Sequence, residues 1–236
     1  MERSLNVGEV ISRTFNIYVD QSSVLLPAAA VVFVLTAILS EVLIAAAPLL
    51  SIVAFIISLV ATTLFTGMVV ELVADVQDGK RDATVGQLLG AVRPVVGSLI
   101  LVGIVAGIAI GIGLILIIVP GLILITIWAV FAPVIVLEHP PGLGALGRSR
   151  ELVRGNGWQV FGVIFVLVFG VEIVSLLIEG IAASAGFGVG IVVRVIVQIL
   201  AAPLAALAAS VLYFELRDPA TVTPAEPLAP NPMGTS

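Results

Sequence analysis

"PVVGSLILVGIVAGIAIGIGLILIIVPGLILITIWAVFAPVIVL" runs from Pro94 to Leu137, 44 residues without one ionisable side chain. As a single helix it would be about 66 Å long at 1.5 Å per residue, roughly twice a hydrocarbon core of about 30 Å. Two crossings therefore fit, and the Pro120–Gly121 pair marks the expected turn. The rest of the chain reads the same way. Of 236 residues, 60% are hydrophobic and 11% charged, and the mean hydropathy is +1.27. A soluble domain carries about 25% charged residues, so this chain has too few to cover a water-facing surface. The class expected is an all-α integral membrane protein.

The same length argument splits Val24–Ala74 at Pro48 and Val160–Leu212 at "GFGVG" (Gly186–Gly190). Six spans result, at about 24–46, 49–74, 95–118, 121–137, 160–183 and 189–212. The polar opening "MERSLNVGEV" lacks the apolar run of a cleaved signal, so the first span is expected to stay as an anchor. There is no cysteine, which excludes disulfides, thiol catalysis and zinc–thiolate sites.

Charge sets the orientation. Arg3 and Arg13 precede span 1; Lys80, Arg81 and Arg93 lie between spans 2 and 3. Arg148, Arg150 and Arg154 lie between spans 4 and 5, and Arg217 follows span 6. Nine of the ten basic residues thus share one face, which the positive-inside rule makes cytoplasmic, with both termini inside. The membrane expected is the bacterial cytoplasmic (plasma) membrane. Tyr18, Trp158 and Tyr213 fall at the same interface, as an aromatic belt would.

A threefold repeat emerges at that face. "NVGEVISRTF" from Asn6, "TVGQLLGAVR" from Thr84 and "GLGALGRSRELV" from Gly142 precede spans 1, 3 and 5. Val7, Val10, Ile11 and Thr14 share a helical stripe, as do Val85, Leu88, Leu89 and Val92. Leu143, Leu146, Arg150 and Val153 form a looser version. Narrow apolar stripes with basic flanks suit short helices lying in the headgroup plane. The plan expected is three transmembrane hairpins, each preceded by one interfacial amphipathic helix. Arg148, Arg150 and Arg154 are then either a solvated loop or a patch for anionic headgroups.

"VPGLILITIWAVFAPVIVLE", "GALGRSRELVRGNGWQVFG" and "AAPLAALAASVLYFELR" carry a resemblance. Together they look like the bacterial membrane-domain family named for its fusion to some glycerophosphodiester phosphodiesterases. The resemblance covers most of Met1 to Arg217 and implies a six-helix membrane domain of poorly defined function. It does not imply phosphodiesterase activity, which belongs to a separate soluble barrel with paired histidines and metal-binding carboxylates. This chain has one histidine, His139, in an expected loop, and no GxSxG, HExxH or P-loop pattern. No catalytic residue, metal or cofactor is expected.

Polar residues inside the spans are the better lead, because such residues are rare and often functional. Glu172 lies about 19 Å in from Val160 and Gln198 about 22 Å in from Leu212; Glu179 and Arg194 come near 30 Å and 28 Å. Glu172 and Glu179 share one helix face, Arg194 and Gln198 another. Antiparallel helices would match Glu179 with Arg194 and Glu172 with Gln198. Glu41 and Glu71 lie nearer interfaces. Glu172, past the midplane with no cation at its depth, is a candidate for a proton or ligand role or for an interhelical hydrogen bond.

Gly103, Gly107 and Gly111 make a small-residue stripe on span 3, with Ala202, Ala205, Ala206 and Ala209 comparable on span 6, for packing within the chain or between copies. After Arg217, "DPATVTPAEPLAPNPMGTS" has five prolines and should form a disordered cytoplasmic tail. Expected partners are membrane lipids, another membrane protein or a second copy, not nucleic acid. Three function classes follow: a non-enzymatic module assisting an envelope or lipid-related process, a small transporter or lipid-handling protein using Glu172, and an intramembrane enzyme.

Overall fold

The computed structural model describes residues 5–78 and 85–217; Arg3, Lys80, Arg81 and the tail from 218 lie outside the described residues. Every element described is helical, and no strand occurs among those residues. Six helical stretches are long and apolar enough to cross a membrane: Ser22–Ala46, Pro48–Gln77, Gly86–Leu116, Ile118–Glu138, Gly157–Ser184 and Gly188–Arg217. The chain is a multi-pass membrane protein.

Eleven α-helices occur among the described residues. They are α1 (Val7–Asp20), α2 (Ser22–Ala46), α3 (Ser51–Gln77), α4 (Val85–Val92), α5 (Val96–Leu116) and α6 (Ile118–Ile127). Then come α7 (Phe131–Glu138), α8 (Gly144–Val153), α9 (Gly157–Ile164), α10 (Val171–Ser184) and α11 (Phe187–Arg217). All but α1 and α8 fall within these stretches. Consecutive long helices pack together: α2 with α3, α5 with α6, and α10 with α11.

The turns follow local chemistry more closely than the proline and glycine positions alone foretell. The break expected at Pro120–Gly121 falls earlier, at Ile117, which is extended (φ −153°, ψ 127°). Pro120 then sits in the first turn of α6, where its missing N–H would be unpaired anyway. Gly121 is needed for a close approach: a Cβ there would lie 2.7 Å from the backbone nitrogen of Leu114. Between α10 and α11 the chain turns at Gly186, whose φ of +125° suits glycine. Gly188 and Gly190 belong to α11.

Two spans are interrupted. The fourth breaks between α6 and α7, with turn geometry at Trp128–Val130 and Pro133 in the first turn of α7. The fifth carries a π-helical stretch, Phe165–Gly170, between α9 and α10. Neither interruption follows from hydropathy, although Pro133 was a visible signal for the first.

Burial is lopsided. Between Phe33 and Phe65 only Ala54 is buried, and between Ala106 and Thr126 only Gly121. Between Leu167 and Pro203, Ser175 and Ala182 are the buried ones among the described side chains. The core lies instead at the end where α1, α4 and α8 sit, around Phe65, Met68, Leu99, Ile135, Leu207 and Tyr213. In lipid no hydrophobic force gathers helices, so apolar pairs can remain solvated by acyl chains where nothing else holds them.

The three short helices contribute side chains to that core. On α1, Val10, Thr14 and Ile17 are buried, and the helix packs on α11, α9 and α2. On α4, Leu88 and Val92 are buried, while the side chains of Val85 and Leu89 lie outside the description. On α8 the buried face is Ala145, Leu146, Ser149 and Val153; Leu143 and Arg150 point outward. The buried faces of these short helices pack on the ends of the long ones.

Candidate functional site

At the end where the basic loops lie, polar side chains tie the helices together. Arg13 of α1 reaches Glu215 of α11 through Nη1 at 2.6 Å and Gln77 of α3 through Nη2 at 2.7 Å. Arg148 of α8 donates from Nε to Glu138 at 2.9 Å, and its Nη1 lies 3.5 Å from Glu151. The bond to Glu138 pushes the Arg148 guanidinium pKa up from its ordinary value. The other oxygen of Glu138 accepts from the Tyr213 hydroxyl at 3.0 Å, and Arg217 donates to that hydroxyl at 3.3 Å. Glu138 thus joins α7, α8 and α11.

Within this network Arg148 is bound to carboxylates of the chain, which sets it apart from Arg150 and Arg154. The side chains of Arg150 and Arg154 are exposed and make no hydrogen bond or ion pair among the described residues. Of the expected aromatic belt, Trp158 faces outward, whereas Tyr213 is fully buried because its hydroxyl serves Glu138. Tyr18 is half-buried and donates to the Leu200 carbonyl at 3.1 Å, one turn before Pro203. Burial pushes the Tyr18 pKa up from its ordinary value.

The second polar region lies at membrane depth between α10 and α11. Glu172, Glu179, Arg194 and Gln198, read from the sequence as one candidate site, all line a single cavity of about 320 Å³. Arg194 Nε stands 3.6 Å from Glu179 Oε2, the match that antiparallel spacing implies. Glu172 and Gln198 share the cavity without bonding to each other, and both are exposed. The π-helical stretch ends just before Glu172, and Leu167 and Val168 within it line the cavity. Such stretches re-aim side chains within an otherwise regular helix. The fourth wall is supplied by small residues, Ala201, Ala202 and Ala205.

The glycine stripe meets no partner among the described residues. A Cβ added to Gly103, Gly107 or Gly111 would meet nothing within 4 Å. The glycines that do permit close packing are others: a Cβ on Gly67 would meet Val92 at 2.5 Å, and one on Gly113 would lie 3.0 Å from the Cα of Gly121. His139 is exposed at the end of α7 with φ of 52°. Among the described residues, no group of three or more histidine, aspartate or glutamate side chains is placed to hold a metal ion.

Comparison with protein-family models, curated proteins and solved structures finds no match for this chain.

Proposed function

We propose that the chain is a non-enzymatic module of the bacterial cytoplasmic membrane that assists an envelope or lipid-related process through lipid or protein contacts. In this reading it is three transmembrane hairpins, each preceded by a short interfacial helix, with both termini cytoplasmic. The family resemblance carried by the Pro-Gly, Arg-Ser-Arg and Tyr-Phe-Glu-Leu-Arg segments is consistent with such a domain.

One observation carries it. Glu172, Arg194 and Gln198 are exposed and line an open cavity between α10 and α11 rather than an enclosed one. An ionisable group at the bilayer centre costs about 2.5–3.5 kcal/mol on insertion scales, so an exposed polar face favours a contacting partner. A photoreactive residue in place of Leu176, on the exposed side of α10, tests this in native membranes. A discrete protein adduct, or a self-adduct, is expected. Adducts with lipid alone would remove the protein-contact reading of this face.

The cavity at Glu172 favours a second reading, a small transporter or lipid-handling protein. Solute or proton flux in proteoliposomes that Glu172→Gln abolishes would replace the first reading with this one.

A further inference from the structure

A different face carries more specific chemistry. Arg150 and Arg154, the two arginines of α8 and its exit whose side chains have no partner among the described residues, line a cavity of about 640 Å³. A second cavity of about 640 Å³ runs along α6 and α9. Ile127, Gly155 and Gly157 line both, so the two meet at one wall. We propose that they form one binding site for an anionic phospholipid, with the phosphate at Arg150 and Arg154 and an acyl chain along the apolar groove.

The two halves differ as a lipid's two ends do. The groove is made by Val119, Leu122, Ile123 and Ile127 of α6 with Trp158 and Phe161 of α9. Val119 to Ile127 covers about 12 Å of helix. Thr126 interrupts it little, since its hydroxyl donates to the Leu122 carbonyl at 2.8 Å. Trp158 is 85% exposed and stacks edge-on with Phe161 at 6.1 Å, the position of an indole between acyl chains and headgroups.

The mouth is open for a reason written in the sequence. Gly147, Gly155 and Gly157 line it, and a Cβ on any of them would meet only empty space. Gly155 has φ of +93°, a conformation that turns the chain between α8 and α9 and disfavours other residues. Glu151 also lines the mouth and shares Arg148, 3.5 Å away, with Glu138. Two guanidinium groups remain, each able to give a phosphate two parallel N–H bonds. A free phosphate would use the mouth alone; a phospholipid would use both halves.

The site deepens the proposed function by naming a lipid class, yet it lies on α6, α8 and α9. Its failure would leave the partner reading of α10 and α11 standing, and failure of the crosslinking would leave this site standing.

The test is native mass spectrometry of the full chain in detergent, titrated separately with phosphatidylglycerol, phosphatidylcholine and inorganic phosphate. The wild type should retain one phosphatidylglycerol in preference to phosphatidylcholine. Arg150→Gln/Arg154→Gln should weaken that binding about tenfold or more, a loss of about 1.4 kcal/mol or more. Ile123→Trp, which fills the groove from an exposed position, should weaken it as well. Arg93→Gln, an exposed charge outside the groove, should not. Gly147→Leu, on an open helix surface, supplies a second block of the mouth if the arginine variant fails to fold. Unchanged phosphatidylglycerol binding in the arginine or Gly147 variant would overturn the proposal. So would equal retention of phosphatidylcholine, or inorganic phosphate binding at the mouth with Ile123→Trp without effect on the lipid.

Discussion

The hydroxyl of Ser149 donates to the carbonyl of Ile127 at 3.0 Å, across the gap in the fourth span. The same oxygen accepts from the Val130 amide at 3.3 Å. A break in a membrane helix frees backbone groups that lipid cannot satisfy. Here one buried serine from α8 satisfies both sides, and thereby fixes α8 against α6 and α7.

Ser149→Ala should therefore destabilise the protein by about 1–3 kcal/mol, the cost of leaving buried polar groups unpaired. Thermal unfolding in detergent measures it. Ser184→Ala, which removes an exposed hydroxyl, is the comparison, and equal melting of the two variants would contradict the role given to Ser149.

Arg13 joins α1 to α3 and α11, and Glu215 is only 10% exposed. Arg13→Ala should cost about 1–3 kcal/mol, allowing for the partial exposure of the arginine. In a double-mutant cycle with Glu215→Ala, the two losses should fall short of additivity by about 1 kcal/mol. Strict additivity would mean that the pair contributes nothing.

The arginines of α8 should separate by role. Arg148→Gln breaks the bond to Glu138 and should lower stability by about 0.5–1 kcal/mol, as a half-exposed ion pair does. Arg150→Gln should stay within about 0.5 kcal/mol of wild type. Unfolding midpoints that reverse this order would mean the network around Glu138 does not hold α8.

Glycines give a contrast at equal chemistry. Gly121→Leu must displace the backbone of Leu114 and should prevent stable pairing of α5 and α6. Gly107→Leu faces open space and should leave the monomer's melting point unchanged or raised, since leucine is the better helix former. A large loss of monomer stability in Gly107→Leu would refute the open surface described for that stripe.

The absence of native cysteine makes orientation directly measurable. Arg154→Cys should react with an impermeant thiol reagent from the cytoplasmic side only, and Ala185→Cys from the opposite side only. Labelling of both from one side would overturn the topology inferred from the basic loops.

Span number and approximate limits could be read from hydropathy because a bilayer imposes a length and excludes charge, and both are properties of the linear chain. The expected orientation rests on the same ground, in the placement of nine basic residues. The convergence of Glu179 with Arg194 was legible too, since two antiparallel helices joined by a short turn leave little choice of register. Tertiary structure decided the rest. It turned the apolar stripe of α1 inward, buried a different face of α8, took Arg148 for Glu138, buried Tyr213, and left Gly103, Gly107 and Gly111 facing open space. Each of these depends on which distant helix supplies a carboxylate, a carbonyl or a side chain of fitting volume. Helical periodicity tells which residues share a face, but only packing decides what that face meets.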